Sequence, residues 1–503
     1  MPRSLKIRWI ELYPKVPDQH GGPCIGSAFL FRMKPLTLFT LVGYVIALAS
    51  IVHLLSLRKR PASTLSWAWS ILLFPYLGTA LYWAIGADRL RRKRLRRRAG
   101  FTPFRRQRRN ESANENPQLS ETDAALTRVC ARINGIPPTR VDELKLLPDA
   151  DRFYDALERR IQAAKNHVHI QFFIWRDDAA GRRLRDALVA AARRGVKVRV
   201  LIDEIGSVLL SSGHFKELVE AGGEFSWFLT LNPRRHRYLV NLRNHRKVQI
   251  IDGTVAFVGG MNVGIEYQGL DPKVGPWRDL QAEFTGPLAC TLQECFADDW
   301  YFATNKKIEE PCYYPAGESP EGSAALVLAG GPDDPSEPMQ KSLIAILNHA
   351  RTRAWLTTGY FVPNGVTLAA LELCAARGVD VRLLITEKTD HPALLRIGRS
   401  FYDELLIAGV RIFEFSSAIN HTKAGVIDED WLLVGSANID NRSMRVNFEL
   451  SVLVRHPEAA AEFAAVMVED FSNCVEITPE AFAKRPWREK AWEAAARPFA
   501  PLL

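Results

Sequence analysis

His245 and Lys247 stand two residues apart, Asp252 follows the lysine by five, and Asn262 closes the stretch behind Gly259-Gly260-Met261. The same order returns as His421, Lys423, Asp428 and Asn438, the last behind Gly435-Ser436-Ala437. In both stretches His and Asn are 17 residues apart. One His-x-Lys carries little information, but two long patterns with identical internal spacing are not incidental polar residues in ordinary hairpins. A neutral imidazole, an ammonium and an amide on one surface suit an anionic phosphorus centre. Lysine and asparagine hold phosphoryl oxygens, and the imidazole attacks phosphorus or moves a proton.

The elements that must position these groups read as hairpins. Val248 to Ile251 and Thr254 to Val258 are expected strands, and Asp252-Gly253 is a turn signal. Residues two apart on a strand face one side, so His245 projects with Lys247 and His421 with Lys423. The returning strand brings Asn262 back towards His245, and Asn438 towards His421. Seven residues of strand put Asp252 and Asp428 roughly 20 Å from their own histidines. Turn stabilisation is their expected job. The carboxylates that orient the imidazoles are sought elsewhere, in Asp279 and Glu449.

Around the motifs, Ala150 to Ala164 reads as a helix with Asp151 as its cap, His167 to Trp175 as a strand, Gly181 to Arg194 as a helix and Val196 to Ile202 as a buried strand. His167 and His169 form a His-x-His. With no third ligand in view, a strand face is preferred to a metal site. Gly195 to Glu204 is answered by Gly378 to Glu387, each behind an Ala-rich helix, so whole α/β halves repeat at an offset of about 176 to 183 residues. The boundary is expected within Glu309 to Gly322, where Pro311, Pro315, Gly317 and Pro320 cluster.

Pro35 to Leu57 and Thr64 to Gly86 are each 23 residues without Asp, Glu, Lys or Arg. Roughly 20 apolar residues span a bilayer core, so a membrane hairpin is expected, with a kink at Pro75 in its second helix. Arg89 to Arg109 then holds twelve basic residues and no acid. The positive-inside rule places that side in the cytoplasm, against the weaker opposing signal of Arg58, Lys59 and Arg60 in the hairpin loop. Anionic lipid is the expected contact of the basic run. The division is 1–34, an irregular extension; 35–86, two transmembrane helices; 87–122, a basic linker; 123–315 and 316–503, the two α/β halves. Met33 is the expected true start. The tail with Trp487 and Trp492 reads equally as a membrane-lying segment or as a helix packed on the domain.

The doubled motif resembles the phospholipase D superfamily and, within it, the bacterial cardiolipin synthases. The likeness runs from about Met33 to the C-terminus. It rests also on Phe172-Phe173-Ile174-Trp175-Arg176-Asp177-Asp178, on Asn441-Arg442-Ser443-Met444-Arg445-Val446-Asn447-Phe448-Glu449-Leu450, and on the membrane segment. Gly359 stands where proline is expected and bears on loop shape. The resemblance implies two phospholipase D-like α/β halves sharing one active site, with His245, Lys247, Asp252, His421, Lys423 and Asp428 as its catalytic set. It implies cardiolipin and glycerol from two phosphatidylglycerol molecules through a phosphatidyl-histidine. His245 is the nucleophile by the family's usual assignment and His421 the acid and base, although either order fits the residues. Asn262 and Asn438 would join the lysines on the phosphoryl oxygens, and Asp279 and Glu449 would hold the imidazoles. No metal or organic cofactor is required, because the lysines supply the positive charge. The expected partners are phosphatidylglycerol, other anionic phospholipids and the bacterial inner membrane, with the catalytic part on the cytoplasmic side and no nucleic acid.

The residues themselves argue only for phosphodiester transfer. They leave open a hydrolase that uses water, a membrane-tethered nucleic-acid phosphodiesterase, and a basic scaffold with a silent site. A chain of 503 residues with net charge +10 has room for several domains. Its seven cysteines contain no Cys-x-x-Cys, which fits a reducing compartment better than a disulfide framework.

Overall fold

A computed structural model of the chain describes residues 35–57, 61–83, 119–211, 213–229, 242–315, 321–334, 336–388 and 392–502. The extension with Met33, the basic run from Arg89 to Arg109 and part of the Glu309–Gly322 boundary lie outside the described residues. The chain divides into two units, Met1–Ala87 and Asp88–Leu503.

In the first unit Pro35–Ser56 is one helix of 22 residues with mean hydropathy 2.3, long and apolar enough to cross a bilayer. The second apolar stretch behaves differently. Its helix Pro61–Leu73 stops short of Pro75, and a five-residue helix, Leu77–Leu81, follows. Proline has no N–H to give and its ring crowds the preceding turn, so the ladder breaks there. The chain then reverses. Tyr76 stacks on Phe39 at 4.4 Å, whereas Tyr82 returns to within 5.8 Å of Trp67 and Trp83 stacks on His53 at 4.6 Å. Gly78 permits the reversal, because a Cβ there would sit 2.0 Å from the Ser70 carbonyl oxygen. Among the described residues one helix is thus long enough to cross, and the expected second crossing helix is replaced in these contacts by a shorter helical segment that turns back after Tyr76. In a continuous helix Trp67 and Tyr82 would lie roughly 22 Å apart. Trp67→Cys with Tyr82→Cys should therefore be joined in membranes by a short bis-maleimide, read as an intramolecular cross-link on peptide mapping; a straight second helix would leave the pair unlinked.

The second unit holds two sheets. The first has seven strands in the order Leu144–Leu147, Gln281–Thr285, Val255–Gly259, Val248–Ile251, His167–Phe172, Lys197–Ile202 and Glu224–Trp227. The second has nine: Thr139–Val141, Ser323–Gly330, Glu449–Arg455, Trp431–Gly435, Ala424–Ile427, Arg353–Thr358, Asp380–Thr386, Arg411–Phe415 and Val475–Ile477. Without its two outermost strands, the second order repeats the first strand for strand. His167–Phe172 and Arg353–Thr358 are each parallel to the strand after a helix and antiparallel to the strand that follows a motif. Side chains buried between the sheets, among them Val258, Ala282, Leu432, Val434 and Val452, form one core, and each outer face packs its own helices. At about 1.5–3 kcal/mol per buried aliphatic side chain, this shared core is a main reason the halves stay together.

Two points differ from the sequence reading, and at a third the structure takes one of its two alternatives. Thr139–Val141 pairs with Ser323–Ala325, and Asn134 on the helix Glu121–Asn134 donates to Ser342 Oγ at 2.9 Å and accepts from Ala329 N at 3.0 Å. The segment from 123 to 141 is thus built into the second sheet, covering the backbone edge of Ser323–Gly330. Asp149, not Asp151, caps Ala150–Ala163 by accepting from Arg152 N at 2.8 Å. The C-terminal helices Pro479–Ala483 and Trp487–Ala496 pack on the second half through Phe482 on Tyr402 and through Arg485 with Asp403, 2.8 Å away. Their tryptophans face out: Trp487 is 73% and Trp492 49% exposed.

Candidate active site

The motif residues do not lie where strand alternation would put them. Regular pairing starts only at Val248, and His245, Arg246 and Lys247 precede it in irregular backbone. That backbone is held from the other half: His245 N donates to Phe448 O at 2.9 Å, and Phe448 N donates to Arg243 O at 2.8 Å. The second motif is held by the first half in the same way. Ile419–Asn420 pairs with Trp277–Arg278, and His421 N donates to Arg278 O at 2.7 Å.

The orienting carboxylates therefore cross. Asp279, from the first half, meets Nδ1 of His421 at 2.7 Å, and Glu449, from the second, meets Nδ1 of His245 at 3.1 Å. Both acids are buried. Glu449 also accepts from Ser436 Oγ at 2.5 Å. Gly260 stands in the corresponding place before Asn262, and a Cβ there would lie 2.2 Å from the Asp279 carboxylate, so only glycine lets that acid reach across. With Nδ1 engaged, Nε2 of each ring is left for the cleft. His245, His421, Asn262 and Asn438 line one cavity of about 370 Å3, walled by Phe173, Trp277 and Tyr360.

Charge in this cleft is unusual. Burial pushes the His421 imidazole down to about 4, with the Lys423 ammonium adding to it against the pull of Asp279. Burial lowers His245 as well, opposed by Glu449 and reinforced by both lysines. Lys247 is pushed down to about 7, first by burial and then by Lys423, with Glu449 opposing. Burial alone would raise Glu449; His245 and Lys247 outweigh it and hold the carboxylate below its usual range. Each ammonium lies beneath its histidine, Lys247 Nζ donating to His245 O at 2.8 Å and Lys423 Nζ to His421 O. With both imidazoles neutral at pH 7, the two buried amines are the cationic groups of the motifs, and the carboxylates that hold the rings offset them.

The halves are not equivalent in their amides. Asn262 spends both ends on protein, Oδ1 accepting from Ile174 N at 3.0 Å and Nδ2 donating to Tyr267 Oη at 3.0 Å. Asn438 Oδ1 is buried with no hydrogen-bond partner among the described residues. Gly359 stands directly against this motif: a Cβ there would meet Asn438 Oδ1 and His421 Cα at 3.4 Å, ordinary contact distances. Its place is therefore at the site and not only in the shape of a distant loop.

Comparison with known proteins agrees with this geometry. A model of the family "Cardiolipin synthase, PLD-like domain" matches residues 157–270 and 343–471, and one for a phospholipase D-nuclease N-terminal segment matches 44–86. Cardiolipin synthase A of Pseudomonas aeruginosa is 36% identical over 454 residues, covering 88% of this chain and 91% of its own. A Geobacillus cardiolipin synthase is 33% identical over 497 residues, covering 95% and 97%. The chain belongs to the phospholipase D-like cardiolipin synthase family. The phosphatidylserine synthase structure from Haemophilus influenzae superposes with TM-score 0.57 at 15% identity over 75% of this chain and all of that one, a likeness of fold.

In this family member the motif aspartates sit in turns, far from the imidazoles. Asp252 has φ 54° and accepts from the backbone N–H groups of Lys165, Asn166 and His167 at 2.7–2.9 Å. Asp428 has φ 52° and takes the N–H groups of Arg351, Thr352 and Arg353 at 2.8–3.2 Å. Each carboxylate thus ties a motif hairpin to the start of the neighbouring strand. His169 spends its ring nitrogens on Gln293 and Arg199, at 2.9 and 3.0 Å. Arg243 and Arg442 also line the cavity and were not singled out by spacing. Arg243 lies two residues before His245, and Arg442 within the stretch Asn441 to Leu450. Replacing Asp252 by Ala strands backbone donors, so the variant should lose about 1–3 kcal/mol of stability. Thermal unfolding in detergent should fall while turnover per folded molecule stays within a few-fold of the parent. A thousand-fold loss with an unchanged melting curve would put the carboxylate in the chemistry instead.

Proposed function

We propose that this protein makes cardiolipin by transferring a phosphatidyl group between two phosphatidylglycerol molecules. The observation that carries the proposal is the pair of imidazoles, one from each half and each gripped by the other half's carboxylate, on one cavity. In the first step His245 Nε2 attacks phosphorus. The bond to the glycerol oxygen breaks, His421 protonates that oxygen, and a phosphatidyl-histidine remains. In the second step His421 takes the proton of a hydroxyl on another phosphatidylglycerol, whose oxygen displaces His245. Lys247, Lys423, Asn438 and the remaining N–H of Asn262 stabilise the phosphoryl oxygens as charge builds in the transition state. Asp279 and Glu449 fix the tautomers by holding Nδ1. This chemistry calls on no metal or organic cofactor, the ammonium pair providing the positive field.

Phosphatidylglycerol labelled in its head-group glycerol and in its acyl chains tests the reading. Cardiolipin and free glycerol should appear together, and His245→Ala or His421→Ala should lower both by at least about 10³-fold. Denaturing the enzyme in mid-reaction should leave the acyl label on the peptide of His245. Acyl label found only in phosphatidic acid would replace the synthase by a hydrolase, and label on His421 would reverse the two roles.

The membrane arrangement follows from the first unit. Leu57 and Trp83 lie at the His53 end of the long helix, and Tyr76 at the Phe39 end. Leu57 and Trp83, the described residues nearest in sequence to Arg58-Lys59-Arg60 and to the run from Arg89 to Arg109, share one end of the helix, which supports a reading with a single crossing and both basic segments on one side. Both then obey the positive-inside rule on the cytoplasmic side of the inner membrane. A membrane-impermeant maleimide should miss Lys59→Cys and Arg98→Cys in intact spheroplasts and label both in inverted vesicles. Labelling the two positions from opposite sides would restore two crossings.

A further inference from the structure

Cardiolipin synthesis sets a requirement that hydrolysis does not. When the second lipid attacks, the cleft holds two phosphates: one bound to histidine, the other belonging to the acceptor and joined to its attacking hydroxyl through three glycerol carbons. The lysines and asparagines of the motifs surround the first. The second is an anion only a few ångströms away, and bringing it into a partly desolvated cleft beside another phosphate costs energy unless cations meet it.

We propose that Arg243 and Arg442 form the phosphate site of the acceptor phosphatidylglycerol, a proposal that rests on the two-lipid reaction above. Both side chains line the cavity that holds the two histidines, both are half-buried, and neither belongs to a motif. The backbone brings them to one wall. Arg243 O accepts from Phe448 N at 2.8 Å, while Asn447 N, one residue earlier, turns back to Arg442 O at 2.9 Å. The wall adjoins the nucleophile, because His245 N is bonded to the same Phe448.

The two guanidiniums also act on each other. Burial lowers the proton affinity of Arg243, Asp203 opposes this, and the Arg442 guanidinium adds to the lowering, so the two positive groups feel each other. The acids nearby also have partners of their own. Asp203 accepts from the backbone N–H groups of Asn244, Ile205 and Gly206 at 2.8–3.1 Å. Glu449 holds His245, and Asp440, which also lines the cavity, accepts from Ser443 N at 2.6 Å. Burial and Glu449 raise Asp440 to about 6, while the Arg442 guanidinium pulls it back down. Guanidinium forks suit a phosphodiester's two free oxygens better than ammonium groups do. The acceptor would enter with its phosphate on this pair and its terminal hydroxyl towards phosphorus. Its oxygen bonds to phosphorus as the bond to His245 breaks, and its proton passes to His421.

An acceptor competition tests this. The full-length enzyme in mixed micelles receives labelled phosphatidylglycerol together with ethanol, a neutral acceptor, and the ratio of cardiolipin to phosphatidylethanol is read. Arg243→Ala and Arg442→Ala should each lower that ratio by about tenfold or more, whatever happens to total turnover, since only the charged acceptor needs the site. An unchanged or higher ratio would overturn the proposal. Should either alanine variant fail to accumulate, Arg243→Gln and Arg442→Gln, which keep the apolar stem, are put through the same competition with the same criterion. A parent enzyme that makes phosphatidylethanol but no cardiolipin would instead refute the two-lipid reaction.

Discussion

The crossing of carboxylates governs the rest of the catalytic unit. Each imidazole is oriented by an acid that the other half supplies, so neither half contains a finished site. Glu449 and Asp279 are buried, and an isolated carboxylate at such depth is costly. Separating the halves would leave both acids buried without their imidazoles, or force them into water together with the apolar faces around them. The shared core and the buried Arg246 tie the same seam. Arg246 pairs with Asp299 at 2.8 Å and donates to Glu449 O and Gly330 O at 3.1 and 3.0 Å, bonding across the halves immediately behind the chemistry. Duplication of the sheet thus yields a single site because the imidazole–carboxylate pairs are exchanged between the copies.

How much could be read from the chain depends on how local the cause was. The repeat was legible, since hydrophobic strands and Ala-rich helices recur around two motifs of equal spacing, and the two sheets share their strand order. The placement of Asp252 and Asp428 away from the imidazoles followed from strand rise alone. Which acid serves which histidine was not legible: Asp279 and Glu449 each lie C-terminal to their own motif, and only the parallel pairing of Ile419–Asn420 with Trp277–Arg278 sends Asp279 across. The lysines escaped for another reason. Alternation was applied to residues before Val248, where the backbone is not yet a strand, and the ammonium groups lie below the imidazoles and not beside them.

The membrane unit shows a similar limit. A run of apolar residues carries no sign of direction, so Thr64 to Gly86 reads as a crossing by length and composition. Pro75 then reads as a kink. What decides for reversal is contact specificity: the aromatic rings of Tyr76, Tyr82 and Trp83 find partners at opposite ends of the long helix. On the proposed single crossing, the two basic segments that conflict across a straight second helix both count towards the cytoplasmic side.

Electrostatics links these observations to the reaction order. Burial and the lysines hold both imidazoles neutral, which suits a nucleophile but not an acid. A phosphodiester adds a negative charge to the cleft. It draws the field of Lys247 and Lys423 onto its own oxygens, and the proton affinity of the second imidazole rises because the repulsion it felt is now shared. The acid is therefore formed by the substrate that needs it. Asp279 stabilises the resulting imidazolium without moving, since it is already 2.7 Å from Nδ1. In the proposed second step the deprotonated ring is again a base, facing the next hydroxyl. Water meets the same base, so this mechanism assigns the preference for lipid over water to groups outside the motifs, on the proposed acceptor wall.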